Sequence, residues 1–155
     1  MNKDAMKQAI NLSEKNMLSD KGGPFGAVIT KNGKIISEGW NQVTSSNDPT
    51  AHAEVMAIRN ACEKLGTFDL SGYEIYTSCE PCPMCLSAIY WARLEKIYYA
   101  NTREDAAKID FDDEFLYQEV KKPLNERKIP CEQILREEAQ LVFKKWEEKE
   151  DKIPY

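Results

Sequence analysis

A single histidine, His52, lies in Thr50-Ala51-His52-Ala53-Glu54, and about thirty residues later Pro81-Cys82-Pro83-Met84-Cys85 carries two thiols three positions apart. These two stretches restrict the fold of the 155-residue chain more than anything else in it. Pro83 suits the first position of a helix, so Cys82 and Cys85 become neighbours on one helical turn. The dipole and free amides of a helix N-terminus favour thiolate over thiol. One imidazole and two thiolates have the softness zinc prefers, and three protein ligands leave a fourth place for a water or hydroxide, with one ion per chain. Glu54 follows His52 by two residues, and on a helix the two diverge by about 200°. Both approach one ion only from beyond the helix N-terminus, so the ends of two helices must converge. With the protein ligands supplied by His52, Cys82 and Cys85, Glu54 is a candidate base for the bound water.

Plainer readings stand beside this one. A lone histidine at a helix start is usually a cap or surface residue, and a lone Cys-x-x-Cys is often buried or redox-active. Cys79 also extends the run to Cys79-x-x-Cys82-x-x-Cys85, which allows a structural site with four protein ligands, no place for water and no task for Glu54. Against disulfides, the five cysteines, at 62, 79, 82, 85 and 131, are odd in number and lack an export signal. The opening residues carry Lys3, Asp4 and Lys7 through an amphipathic pattern, and no apolar stretch nears the roughly 20 residues of a membrane span, so a cytoplasmic location without membrane partners is expected. Net charge is -5, with 26 acidic against 21 basic residues, which weighs against a nucleic-acid partner.

Apolar residues from Ala5 to Met17 recur at helical intervals and stop before Gly22-Gly23-Pro24. Asn32-Gly33 between Ala27–Thr30 and Lys34–Trp40 marks a hairpin. A polar loop from Val43 to Pro49 leads to a helix over Ala51–Leu65 that stops at Gly66. Tyr73–Thr77 reads as a strand, Cys82–Arg93 as a helix and Ile97–Ala100 as a strand. Two short helices follow near 103–108 and 112–120, then a strand at Cys131–Leu135 and a helix over Arg136–Glu148. Alternating strands and helices after a hairpin predict a layered α/β domain with a mixed sheet.

His-x-Glu followed by Pro-Cys-x-x-Cys is a signature of zinc deaminases. With Gly22–Val28, Asn47–Glu54 and Thr77–Cys85, it resembles the cytidine-deaminase superfamily, and most of all its bacterial guanine-deaminase branch. The likeness continues through Ala88–Arg93, Phe111-Asp112-Asp113 and Tyr155. The resemblance implies a three-layer α/β/α fold with a five-stranded mixed sheet, one deaminase domain over 1–155, and homodimers that exchange a C-terminal segment of about 136–155. It implies hydrolysis of guanine to xanthine and ammonia, as in purine catabolism. It further implies that Asn41 hydrogen-bonds the purine, Phe25 stacks on it, Trp91 shapes the pocket, Asp113 assists proton transfer at the amine, and Tyr155 closes the site from the partner chain. Each has an ordinary alternative: a turn residue for Asn41, core packing for Phe25 and Trp91, a solvated or capping carboxylate for Asp113, a frayed end for Tyr155. Deamination of guanosine, of another base or nucleoside, or of tRNA adenosine remains a rival, as does a non-catalytic zinc-binding interaction module.

Overall fold

The structure, a computed structural model, describes residues 1–155, which form two compact units, Met1–Glu114 and Phe115–Tyr155. In the first unit α1 (Lys3–Leu18) starts at Asn2, whose side chain accepts from the amides of Asp4 and Ala5 and so satisfies two of the helix's unpaired donors. The hairpin strands are β1 (Gly26–Lys31) and β2 (Lys34–Trp40). Between them Asn32 and Gly33 both take positive φ, 49° and 76°, as a two-residue turn matched to strand twist requires. The expected polar loop contains one turn of helix, α2 (Val43–Ser46), too short to register as periodicity. Then come α3 (Ala53–Leu65), β3 (Glu74–Cys79), α4 (Pro83–Trp91), β4 (Lys96–Asn101) and α5 (Arg103–Ala107).

The strands form one sheet in the order β2-β1-β3-β4. β1 pairs antiparallel with both β2 and β3, whereas β3 and β4 run parallel, joined through α4. Side chains alternate across β1 and β3, giving the sheet two apolar faces. On one face Val28 and Tyr76 pack with Ala5 and Leu12 of α1. On the other, Ala27, Ile29 and Ile75 pack with Ala53, Ala57 and Ala61 of α3 and with Ile89 of α4. Helices on both faces make the unit three-layered, as expected.

The sheet has four strands, not five. The expected strand at Cys131–Leu135 does not form; the segment follows Pro130, is exposed throughout, and ends with Leu135 in the left-handed region at φ 51°. The second unit holds α6 (Glu114–Lys121, whose first residue closes the first unit), a 3-10 turn at Leu124–Glu126 and α7 (Arg136–Glu148). Glu119 ties the turn after α6 together by accepting from Lys122 and from the Lys128 amide at 2.7 Å. No residue of α6 or α7 is buried. No helix of the chain is long and apolar enough to cross a membrane.

Candidate active site

The start of α3 is set by a close approach. Gly39 on β2 leaves room for the first turn of α3: a Cβ there would stand 2.3 Å from the Ala53 carbonyl oxygen and 2.4 Å from the Ala57 nitrogen. Hydrogen bonds lock this contact, from Ser37 Oγ to the Ala57 carbonyl at 2.8 Å and from Asn60 Nδ2 to the Glu38 carbonyl at 2.7 Å. The stretch entering α3 is held by Asp48, which accepts from the Thr50 amide at 2.8 Å and from Thr50 Oγ1 at 2.6 Å. Those bonds hold the Asp48 carboxyl below its usual range. His52 then occupies the N-cap position of α3 in extended backbone, and Cys82 does the same for α4. Neither helix has a side-chain hydrogen bond at its cap. Two helices therefore begin on candidate metal ligands.

These ends meet. His52 Nδ1 lies 3.6 Å from Cys82 Sγ and 3.5 Å from Cys85 Sγ, and the ligand atoms of the three residues all lie within 4.8 Å of one another. A tetrahedral zinc with Zn–S near ~2.3 Å and Zn–N near ~2.05 Å has an S···N edge of about 3.6 Å. The triangle thus fits zinc by its donor chemistry and by its edges. The neighbouring Cys85 thiol and then the His52 imidazole draw the Cys82 thiol down to about 4 despite its burial, while Cys85, beside that thiolate and buried, is pushed up. A dication over the pair would remove the competition for one negative charge, because both sulfurs would then bind it as thiolates.

Cys79 stands outside the triangle. Its thiol donates to the Thr102 carbonyl at 3.5 Å, and burial pushes it up to about 11. Glu80 beside it accepts from the Arg103 amide at 3.2 Å and donates its own amide to the Asn101 carbonyl at 2.9 Å. The segment entering α4 is thereby pinned to the end of β4.

Glu54 is 6% exposed in the first turn of α3. Burial raises its carboxyl above the usual range, and the nearby Cys82 thiolate adds to the rise. Thr77 Oγ1 on β3 donates to Glu54 Oε1 at 3.3 Å. Asn41 is 6% exposed just past β2, and its Oδ1 accepts from the amides of Gly23 and Val43, each at 3.2 Å. That fixes the orientation of the amide and leaves its NH2 as the group on offer. Gly22 permits the arrangement, since a Cβ there would fall 1.8 Å from the Asn41 carbonyl oxygen. Phe25 packs partly buried on the α3 side of the sheet and meets Phe111 edge to face, centroids 4.9 Å apart. Asp113 follows two residues on, and its carboxyl is raised first by burial and then by the charge of Cys82.

Trp91 lies in the last turn of α4, at the opposite end from Cys82 and Cys85, and is 68% exposed. Tyr155 is exposed at the end of the second unit. Thr77 and Phe111 were not singled out as site residues in the sequence. Thr77 sits where strand alternation calls for a core side chain, and Phe111 carried no periodic signal.

Residues 1–101 match the family described as the cytidine and deoxycytidylate deaminase zinc-binding region. The chain is 52% identical over 150 residues to guanine deaminase of Bacillus subtilis (strain 168), covering 97% of this chain and 96% of that protein. It is 43% identical over 98 residues to the tRNA-specific adenosine deaminase of Aquifex aeolicus (strain VF5), covering 63% of this chain and 62% of that one. The X-ray structure of guanine deaminase from Bacillus subtilis matches with a TM-score of 0.96 at 51% identity, covering 100% of this chain and 99% of that one. Two helix ends bearing His52, Cys82 and Cys85, over a sheet that buries Glu54, are thus found in a chain that belongs to the cytidine and deoxycytidylate deaminase family.

Proposed function

We propose that this protein is a zinc-dependent deaminase that converts guanine and water to xanthine and ammonia. The observation that carries the reading is the extent of the likeness: similarity to a guanine deaminase runs through 97% of the chain, whereas that to a tRNA-specific adenosine deaminase covers 63%. A net charge of -5 also suits a small purine better than an RNA loop. One zinc per chain, held by His52, Cys82 and Cys85 with one position left to solvent, supplies a Lewis acid that activates water. The separation of Cys79 from the ligand triangle supports that open position.

Glu54 takes a proton from the attacking water and delivers it to the ring nitrogen beside the amine-bearing carbon; a further transfer to the amine lets ammonia depart. Asp113 assists at the amine. Asn41 offers its NH2 to an acceptor on the base, and Phe25 gives the ring an apolar face. A polar partner of this kind discriminates strongly between bases, because the wrong base leaves it unpaired. Trp91 and Tyr155 act in a homodimer, where Trp91 shapes the pocket and Tyr155 closes the partner's site. Large apolar side chains left exposed, among them Leu141, Val142, Phe143 and Trp146 of α7, support exchange of a segment of about 136–155 between copies within one deaminase domain. Five free cysteines suit the reducing cytoplasm.

Ammonia release from guanine, guanosine, adenine, cytosine, cytidine and tRNA tests the reading. Guanine should be turned over fastest. Release from tRNA with none from guanine would overturn it.

A further inference from the structure

β3 presents Ile75, Thr77 and Cys79 to the α3 side of the sheet, and its neighbour β1 presents Ala27 and Ile29. Thr77 stands opposite Ala27 in that register and is 1% exposed. A hydroxyl in such a place costs free energy unless it is hydrogen-bonded, and a valine of the same shape would fill the space without that cost. The partner this hydroxyl has is Glu54 Oε1, at 3.3 Å. Cys85 also lies beside Glu54, but a sulfur bound to a metal as thiolate has no proton to donate. Thr77 is then the side chain that can hold this carboxylate by donation.

We propose that Thr77 is a positioning residue: its hydroxyl, anchored on a rigid central strand, fixes the rotamer of Glu54 so that the other carboxylate oxygen faces the reacting water and base. The inference rests on the reading of Glu54 as the proton carrier. It separates two tasks within one carboxylate, Oε1 held by the sheet and Oε2 left for chemistry. A side chain in the first turn of α3 has several staggered χ choices, and burial alone does not choose among them. A donor from a different element, fixed by strand pairing on both sides, does choose. The distance of 3.3 Å is long for a bond to a carboxylate, in keeping with catalytic contacts that tighten when substrate is bound.

The test is Thr77→Val, Thr77→Ala and Thr77→Ser, assayed with guanine, with kcat expressed per bound zinc and with zinc content and melting temperature measured on the same samples. Misplacing a proton carrier by about an ångström costs on the order of 100-fold, so Thr77→Val and Thr77→Ala should lose about 10- to 100-fold in kcat per bound zinc at unchanged KM. Thr77→Ser keeps the donor and should recover to within about threefold of the parent. A merely structural role would lower stability or zinc content, leave kcat per bound zinc alone, and give no advantage to serine. Thr77→Val and Thr77→Ala both turning over at the parental rate per bound zinc would overturn the proposal, as would failure of Thr77→Ser to recover. Glu54→Ala run in parallel separates the two ideas. An active Glu54→Ala overturns the reading of Glu54, while an inactive Glu54→Ala beside an active Thr77→Val overturns the role of Thr77 alone.

Discussion

At the scale of single residues, neighbours in sequence take unlike tasks because of where each points. His52 caps α3 and turns toward the two sulfurs, while Glu54, two residues on, is buried in the first turn against β3. Substituting them should give different losses. Glu54→Ala removes the proton carrier but no ligand, so turnover should fall by at least about 100-fold while zinc stays bound; metal analysis beside an ammonia assay checks this. His52→Ala leaves two sulfurs without their third partner, and the purified variant should contain little zinc. The gathering of His52, Cys82 and Cys85 was legible in the sequence from their donor types and spacing. The hydroxyl of Thr77 was not, since a threonine inside a β-run is read as strand propensity and its partner lies 23 residues away in sequence.

At the scale of elements, the site depends on how closely α3 approaches β2. Gly39 permits that contact without positive φ, by absence of a side chain alone. Gly39→Ala should force the start of α3 away from the sheet, lowering stability by about 1–3 kcal/mol. Because the moved element carries His52, zinc content should drop with it; urea unfolding and metal analysis together check the link. The hairpin, α1, α3, α4 and α7 were readable from periodicity and from the Asn32-Gly33 and Gly66 signals. The strand expected at Cys131–Leu135 was not borne out: Cys-Glu-Gln-Ile-Leu does not alternate apolar with polar residues, and the segment is exposed and ends with Leu135 in the left-handed region. The single turn Val43–Ser46 is shorter than any periodic pattern can reveal.

For the whole molecule, the two units differ in kind. Met1–Glu114 buries both faces of a sheet, whereas α6 and α7 bury no residue. A helix with Leu141, Val142 and Trp146 in the open gains stability only by covering that surface. The protein should therefore sediment as a dimer. Removing Ile153–Tyr155 should weaken turnover far more than zinc content, and unchanged kinetics would take Tyr155 out of the proposed site. Zinc that binds the folded chain alone stabilises it by about 2.7 kcal/mol at a hundred times its dissociation constant. Chelation should then lower the melting temperature by on the order of 5–10 °C, which calorimetry would register.

Both α3 and α4 start on residues that the ion is proposed to hold, with no serine, threonine or aspartate bonding to the leading amides. Withdrawing the cation should loosen two distant stretches of chain at once. Deuterium uptake at the amides of Glu54, Val55, Met84 and Cys85 should quicken together, while the centre of β1 keeps its protection.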